Sequence, residues 1–144
     1  MKPVAALDYG RKRVGLAISD RLGLLARPVG TYTQEEAIRV LEHLVHQEGI
    51  EVLVVGWPLD MEGRVGEAAR EVEAYMRRIE RRLPGLRLIR WDERFSTVQA
   101  QQLLRLSGLP RRARQDKGRL DRAAAALILQ EYLDAQRLCP DRTS

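Results

Sequence analysis

The sequence contains one cysteine, Cys139, so no disulfide can form within the chain, and a reducing compartment such as the cytoplasm is its natural setting. Histidine is nearly as scarce. His43 and His46 stand three apart on a helical stretch, but no third histidine or nearby cysteine joins them, so the pair reads as surface helix rather than a metal site. No apolar run approaches the roughly 20 residues a transmembrane helix needs. Only five uncharged residues separate Lys2 from Asp8, which reads against a secretory signal. Internal repeats and low-complexity linkers are absent as well. One domain over residues 1–144 is expected, with 138–144 fraying.

Arginine is what the chain has in excess. Lysine occurs only at Lys2, Lys12 and Lys117, so 22 of the 25 basic residues are arginine, and the net charge is +5. The guanidinium fork matches phosphate oxygens in a bidentate way that an ammonium does not. That favours a nucleic-acid partner, although GC-rich codon usage yields the same total, so the distribution decides. Segment 110–122 places Arg111, Arg112, Arg114, Lys117, Arg119 and Arg122 against Asp116 and Asp121, six minus two, a local excess of four positive charges. It reads as a phosphate-contacting loop. Arg77, Arg78, Arg81 and Arg82 form a second basic run, but Glu73 and Glu80 are interleaved, so it reads as a solvated, ion-paired helix face.

Periodicity divides the chain into short elements. Val4–Asp8 and Val14–Ser19 read as strands joined by a hairpin, with Gly10 and Gly15 suited to its turn. Arg27–Tyr32 is a third strand, placed at a sheet edge by Pro28. Thr33 and Glu36 form a capping box before a helix with Ile38, Leu41, Leu44 and Val45 on one face, ending near Gly49. Val52–Val55 is an unbroken apolar run ending at Gly56, the pattern of a strand buried on both faces. A loop with Gly56 and Gly63 leads to a second helix, with Val72, Met76, Ile79 and Leu83 inward. Leu86–Trp91 is the fifth strand. Ser96 and Gln99 open a short helix closed by Gly108, Leu109–Arg119 reads as a loop, and Leu120–Arg137 as the last helix, with Leu120, Ala124, Leu127, Ile128 and Tyr132 inward. The order β-β-β-α-β-α-β-α-α predicts an α/β protein. Its five-stranded mixed sheet would be a three-strand antiparallel meander plus two parallel strands, flanked by helices, as in the RNase H-like fold.

Three acids then stand out. Asp8 closes the first strand inside apolar sequence, where a carboxylate is costly unless paired or metal-bound. Glu93 follows the fifth strand, and Asp121 lies in the first turn of the last helix. If the first, fourth and fifth strands are parallel neighbours, Asp8 and Glu93 leave the sheet at one edge, where open α/β sheets carry their sites. Three converging carboxylates repel one another unless a positive charge compensates. Two Mg²⁺ (or Mn²⁺) ions about 3.5–4 Å apart would do so and would clamp the attacking and leaving oxygens of a phosphodiester. Each acid also has a plain reading: Asp8 as a turn cap, Glu93 as a partner of Arg94, Asp121 as a favourable charge at a helix N-terminus. Arg13 and Arg94 flank the site as phosphate contacts or salt-bridge partners. Cys139 reads as an inert tail residue.

The stretches ALDYGRKRVGLAISD (6–20), VVGWPLDMEG (54–63), WDERFST (91–97) and KGRLDRAAAALILQEYL (117–133) resemble, in order, the YqgF/RuvX family of Holliday junction resolvases and pre-16S ribosomal RNA nucleases. The resemblance implies an RNase H-like fold and metal-dependent phosphodiester hydrolysis, with the family's carboxylates falling on Asp8, Glu93 and Asp121. Trp57 and Asp60 depart from the more usual Leu and Asn, leaving open whether Asp60, or Asp92, assists the site.

Family grounds favour maturation of the 5′ end of pre-16S rRNA, with Holliday junction resolution as the alternative. Two other classes remain: an RNA-binding module without catalysis, and an ATP-binding domain. The latter is suggested by Asp8-Tyr9-Gly10 with Gly15, Ala17 and Asp20, which resembles the phosphate hairpin of the actin and sugar-kinase superfamily. A resolvase would favour a two-fold homodimer, and an rRNA enzyme can act as a monomer. Nothing in the sequence names a reader of the 2′-hydroxyl, so RNA and DNA are not distinguished.

Overall fold

Eight elements appear in the computed structural model, which describes residues 2–58, 66–92 and 117–138, with side chains placed for 124–136 of the last stretch. They are β1 (Ala5–Asp8), β2 (Val14–Ser19), β3 (Ala26–Tyr32), α1 (Gln34–Glu48), β4 (Val52–Trp57), α2 (Glu67–Arg82), β5 (Arg87–Asp92) and α3 (Lys117–Leu138). The strands form one sheet in the order β3-β2-β1-β4-β5. β1–β2 and β2–β3 pair antiparallel, β1–β4 and β4–β5 parallel. This is the expected mixed α/β sheet, with β3 at one edge. Asp60, Gly63, the helix expected over Ser96–Gly108, residues 109–116 and the tail from Cys139 lie outside the described residues.

Strand alternation sorts the buried residues into two cores. Ala5, Leu7, Leu16, Ile18, Leu53 and Val55 face α1 and α2, which contribute Ile38, Leu41, Val72, Met76 and Ile79. Ala6, Ala17 and Val54 face α3, which contributes Ala125, Ile128, Leu129, Tyr132 and Leu133. Alanine on both sides of this second interface lets the helix backbone approach the sheet closely.

Local signals explain most boundaries. Thr33 caps α1 by accepting from the Glu36 N–H (3.2 Å), and Glu36 accepts from the Thr33 N–H (3.0 Å). Gly49 ends the helix in the left-handed region, φ 73°. β4 runs two residues beyond the expected Val55, through Gly56 and Trp57.

Three expectations need correction. Gly15 is not in the hairpin turn but inside β2, opposite Asp8. α3 already includes Lys117, Gly118 and Arg119, because lysine and arginine are good helix formers and a helix can begin before its apolar stripe does. Leu127 is only half-buried, and the inward stripe runs instead through Ala125, Leu129 and Leu133 beside Ala124, Ile128 and Tyr132.

Replacing Thr33 with Ala removes the acceptor for the Glu36 N–H. The expected loss is about 1 kcal/mol in urea unfolding with an unchanged m value. A loss below about 0.3 kcal/mol would mean that water satisfies the helix end equally well.

Candidate active site at one edge of the sheet

The parallel relation of β1, β4 and β5 brings their C-terminal ends to a single edge, and Asp8 stands there as the last residue of β1. By alternation it lies on the face covered by α3, in line with Ala6. Its antiparallel partner is Gly15, whose own partner on β3 is Thr31. On the other side, the Leu7–Val55 pair puts Gly56 level with Asp8, and Gly56 pairs with Trp91. The row across this face therefore reads Thr31, Gly15, Asp8, Gly56, Trp91. Both strand neighbours of Asp8 in this row are glycines, so no side chain from β2 or β4 stands directly beside its carboxylate. Sequence reasoning put both glycines in loops, although the period-2 pattern of Val14–Ser19 already places Gly15 within a strand.

Glu93 lies outside the described residues; Asp92, the residue before it, ends β5 at the same edge. Alternation puts Asp92 level with Trp57 on the opposite face from Asp8, which argues against a shared role. Asp121 is the fifth residue of α3 rather than a first-turn residue, so the helix-terminus explanation for its charge loses most of its force. In the sequence it stands four before Ala125 and seven before Ile128, residues that pack on the Asp8 face. Among the described residues no three acids or histidines converge on one point. An all-carboxylate set is the hard oxygen chemistry that suits Mg²⁺.

Trp91 is fixed by two contacts that its sequence does not announce. Its indole N–H donates to Glu131 of α3 (2.9 Å), and Tyr132 meets its ring edge-on with centroids 5.8 Å apart. This ties α3 to the strand that leads into Glu93.

The expected basic residues are distributed differently. Arg13 is exposed in the β1–β2 hairpin. Lys117, Arg119 and Arg122 fall on the first turns of α3, correcting the loop assignment for the first two. Arg94, Arg111, Arg112 and Arg114 lie outside the described residues. The run on α2 is an ion-paired face as expected, but its partners lie mainly on α1 rather than at Glu80. Arg78 and Arg82 reach Glu35 at 3.3 and 3.0 Å, Arg82 also pairs with Glu42, and among the described residues only Arg77 of this run pairs within its helix, with Glu73 at 2.6 Å. The hydrogen bond from Arg82 holds the Glu35 carboxyl below its usual range. His43 and His46 are exposed on α1, and Asp20 caps its own turn by accepting from the Leu24 N–H at 2.8 Å.

A mixed sheet in this order, helices on both faces and an acid at the end of the central strand define an RNase H-like protein. Solved structures agree on the fold. Thermus thermophilus RuvC in complex with a Holliday junction substrate aligns over 95% of this chain and 96% of its own, with a TM-score of 0.52 and 19% identity. Yeast mitochondrial Holliday junction resolvase Ydc2 aligns over 98% and 84%, with a TM-score of 0.52 and 11% identity. The RuvX family, described as Holliday junction resolvase, matches residues 2–135, and the chain belongs to that family. A Salinibacter ruber protein named "Putative pre-16S rRNA nuclease" is 48% identical over 131 residues, 91% of this chain and 92% of that protein. A protein of the same name from Chlorobaculum tepidum is 40% identical over 134 residues, 93% and 94% of the two chains.

The α1–α2 ion pairs give a pH test. A carboxylate held below its usual value stabilises the fold above that value and loses the effect as pH falls through its folded pKa. Glu35→Gln should therefore lower the melting temperature at neutral pH, and the gap to wild type should close as pH drops below the usual glutamate value of 4.5. It should also narrow in about 1 M salt, because these groups are exposed. A gap independent of pH and salt would show that the pairs contribute through packing alone.

Proposed function

We propose that this chain is a divalent-metal-dependent endonuclease that cuts structured nucleic acid, most specifically the 5′ end of precursor 16S rRNA in the cytoplasm. The observation that carries the reading is Asp8, held at the C-terminal edge of a buried central strand between two glycine neighbours, on the face that α3 covers. Family membership and the names of relatives 40–48% identical over nine-tenths of the chain support the activity and its substrate.

Asp8, Glu93 and Asp121 would hold the metals, on the grounds of their carboxylate chemistry, the place of Asp8 at this edge, the place of Glu93 in the chain directly after β5, and the family resemblance. Bound there, two Mg²⁺ or Mn²⁺ ions would lower the pKa of the attacking water and neutralise charge on the leaving oxygen. Arg13, Arg94, Arg111, Arg112, Arg114, Lys117, Arg119 and Arg122 would hold the flanking phosphates, which position the strand without reading its sequence. The family description favours one competing substrate, the four-way DNA junction, for which a two-fold dimer would be needed.

Asp8→Asn, Glu93→Gln and Asp121→Asn should each reduce cleavage by at least about a hundredfold while leaving nucleic-acid affinity within a few fold. The measurement is cleavage of precursor 16S RNA and of a four-way junction side by side, in Mg²⁺ and in chelator. Near-normal turnover of one variant removes that residue from the site, and full activity in chelator removes the metals.

The space beside Asp8 can be tested separately. Gly15→Val and Gly56→Val add β-branched side chains to strand positions on the Asp8 face. They should suppress cleavage far more than they lower the melting temperature. Retained cleavage in both would show that the absence of side chains at these two positions is not used.

A further inference from the structure

The hairpin that follows Asp8 is held in place by a single side-chain amide. Gln34, the first residue of α1, donates through Nε2 to the Tyr9 hydroxyl (3.0 Å) and to the Arg11 carbonyl (3.1 Å). Its Oε1 accepts from Arg78 of α2 (3.1 Å), and its backbone carbonyl accepts from the Tyr75 hydroxyl (2.6 Å). Both amide hydrogens and the amide oxygen are thereby used, on the hairpin and α2. The Tyr9 and Tyr75 rings pack with centroids 5.2 Å apart, and the Arg11 guanidinium is tied to Glu71 at 2.8 Å. Gly10 lets the turn close, since a Cβ there would stand 2.5 Å from the Arg13 carbonyl oxygen.

Two residues of this hairpin stay outside the clamp. Lys12 and Arg13 are exposed and form no ion pair among the described residues, whereas Arg11 beside them is neutralised by Glu71. The segment from Tyr9 to Arg13 joins Asp8 directly to Val14, so both charges stand at the edge that carries Asp8.

We propose that the Tyr9–Arg13 hairpin is a preorganised phosphate-contact site for the nucleic-acid substrate, with Lys12 and Arg13 as the contacts and Gln34 as the residue that positions them. It rests on the nuclease reading above and adds Lys12 and Gln34 to it. The clamp shifts the entropic cost of ordering the hairpin from binding to folding.

Contact and positioning have different signatures. In protein blocked by Asp8→Asn, affinity for labelled precursor 16S RNA and for a four-way DNA junction is measured against salt. Lys12→Ala with Arg13→Ala should lower the log–log salt slope by about 1.4–1.8, two contacts at roughly 0.7–0.9 each. Gln34→Met keeps the length of the side chain but none of its hydrogen bonds. It should leave the slope unchanged and weaken affinity about tenfold if the hairpin then holds its bound shape about a tenth of the time. Tyr75→Phe removes a bond to the Gln34 backbone, which α1 already fixes, so it should lower the melting temperature and spare affinity. An unchanged slope in the double variant overturns the proposal, as does wild-type affinity in Gln34→Met. So do losses of affinity in Gln34→Met and Tyr75→Phe that merely follow their melting temperatures. If the blocked protein binds neither probe, the nuclease reading falls and this one with it. Normal cleavage by the unblocked wild-type protein together with an unchanged slope in the blocked double variant removes the hairpin site alone.

Discussion

Burial of β1 on both faces, with hydrogen-bonded strands on both sides, is the constraint on which the rest of the molecule depends. β1 pairs with β2 on one side and β4 on the other, and Ala5, Ala6 and Leu7 have no exposed surface. Such a strand must be apolar until it leaves the sheet, and the next residue is Asp8. A carboxylate at that point is partly desolvated, which is costly for the charged form unless a compensating charge is supplied. The parallel pairing of β1, β4 and β5 then makes this edge the one where the chain also leaves β5, one residue before Glu93. The position of the acid thus follows from the need to bury the strand behind it.

The two faces of the sheet do different work. Toward α1 and α2 the residues are large, Leu7, Leu16, Leu53 and Val55 against Ile38, Leu41, Met76 and Ile79, and the two helices are joined at their surface by Arg78, Arg82, Glu35 and Glu42. From that side Gln34 and Glu71 reach the hairpin beyond Asp8. Toward α3 the residues of β1 and β2 are small, Ala6 and Ala17, with glycines at the end of the sheet, and the bulk comes from α3 itself through Ile128, Leu129, Tyr132 and Leu133. Small residues on β1 and β2 let α3 lie close to the sheet on the face that carries Asp8.

Much of this was legible residue by residue. The Thr33–Glu36 capping box, the Gly49 stop and the stripe of Val72, Met76 and Ile79 were read correctly because helix caps and helical faces are set within a few residues. Pro28 marked an edge strand for the same local reason. Where the reading slipped, a longer-range force had prevailed. Leu127 suited an apolar stripe as well as Leu129 did, and only packing against Ala6 and Val54 selected the rotation of α3. Asp121 resembled a first-turn charge because the charged residues before it concealed that the helix had already begun.

By itself the sequence determined the order of the described elements and the class of sheet and singled out three acids as candidates, because 2.0 and 3.6 periodicities and turn chemistry act over distances of a few residues. It did not determine which side chains meet across the chain. Gln34 and Tyr9 are 25 residues apart, Tyr75 and Gln34 41, Trp91 and Glu131 40. Such contacts depend on the register of strands and the rotation of helices, and no local pattern carries either quantity. Gly15 changed its meaning for the same reason. A glycine after a hairpin reads as a turn residue until strand pairing sets it opposite Asp8.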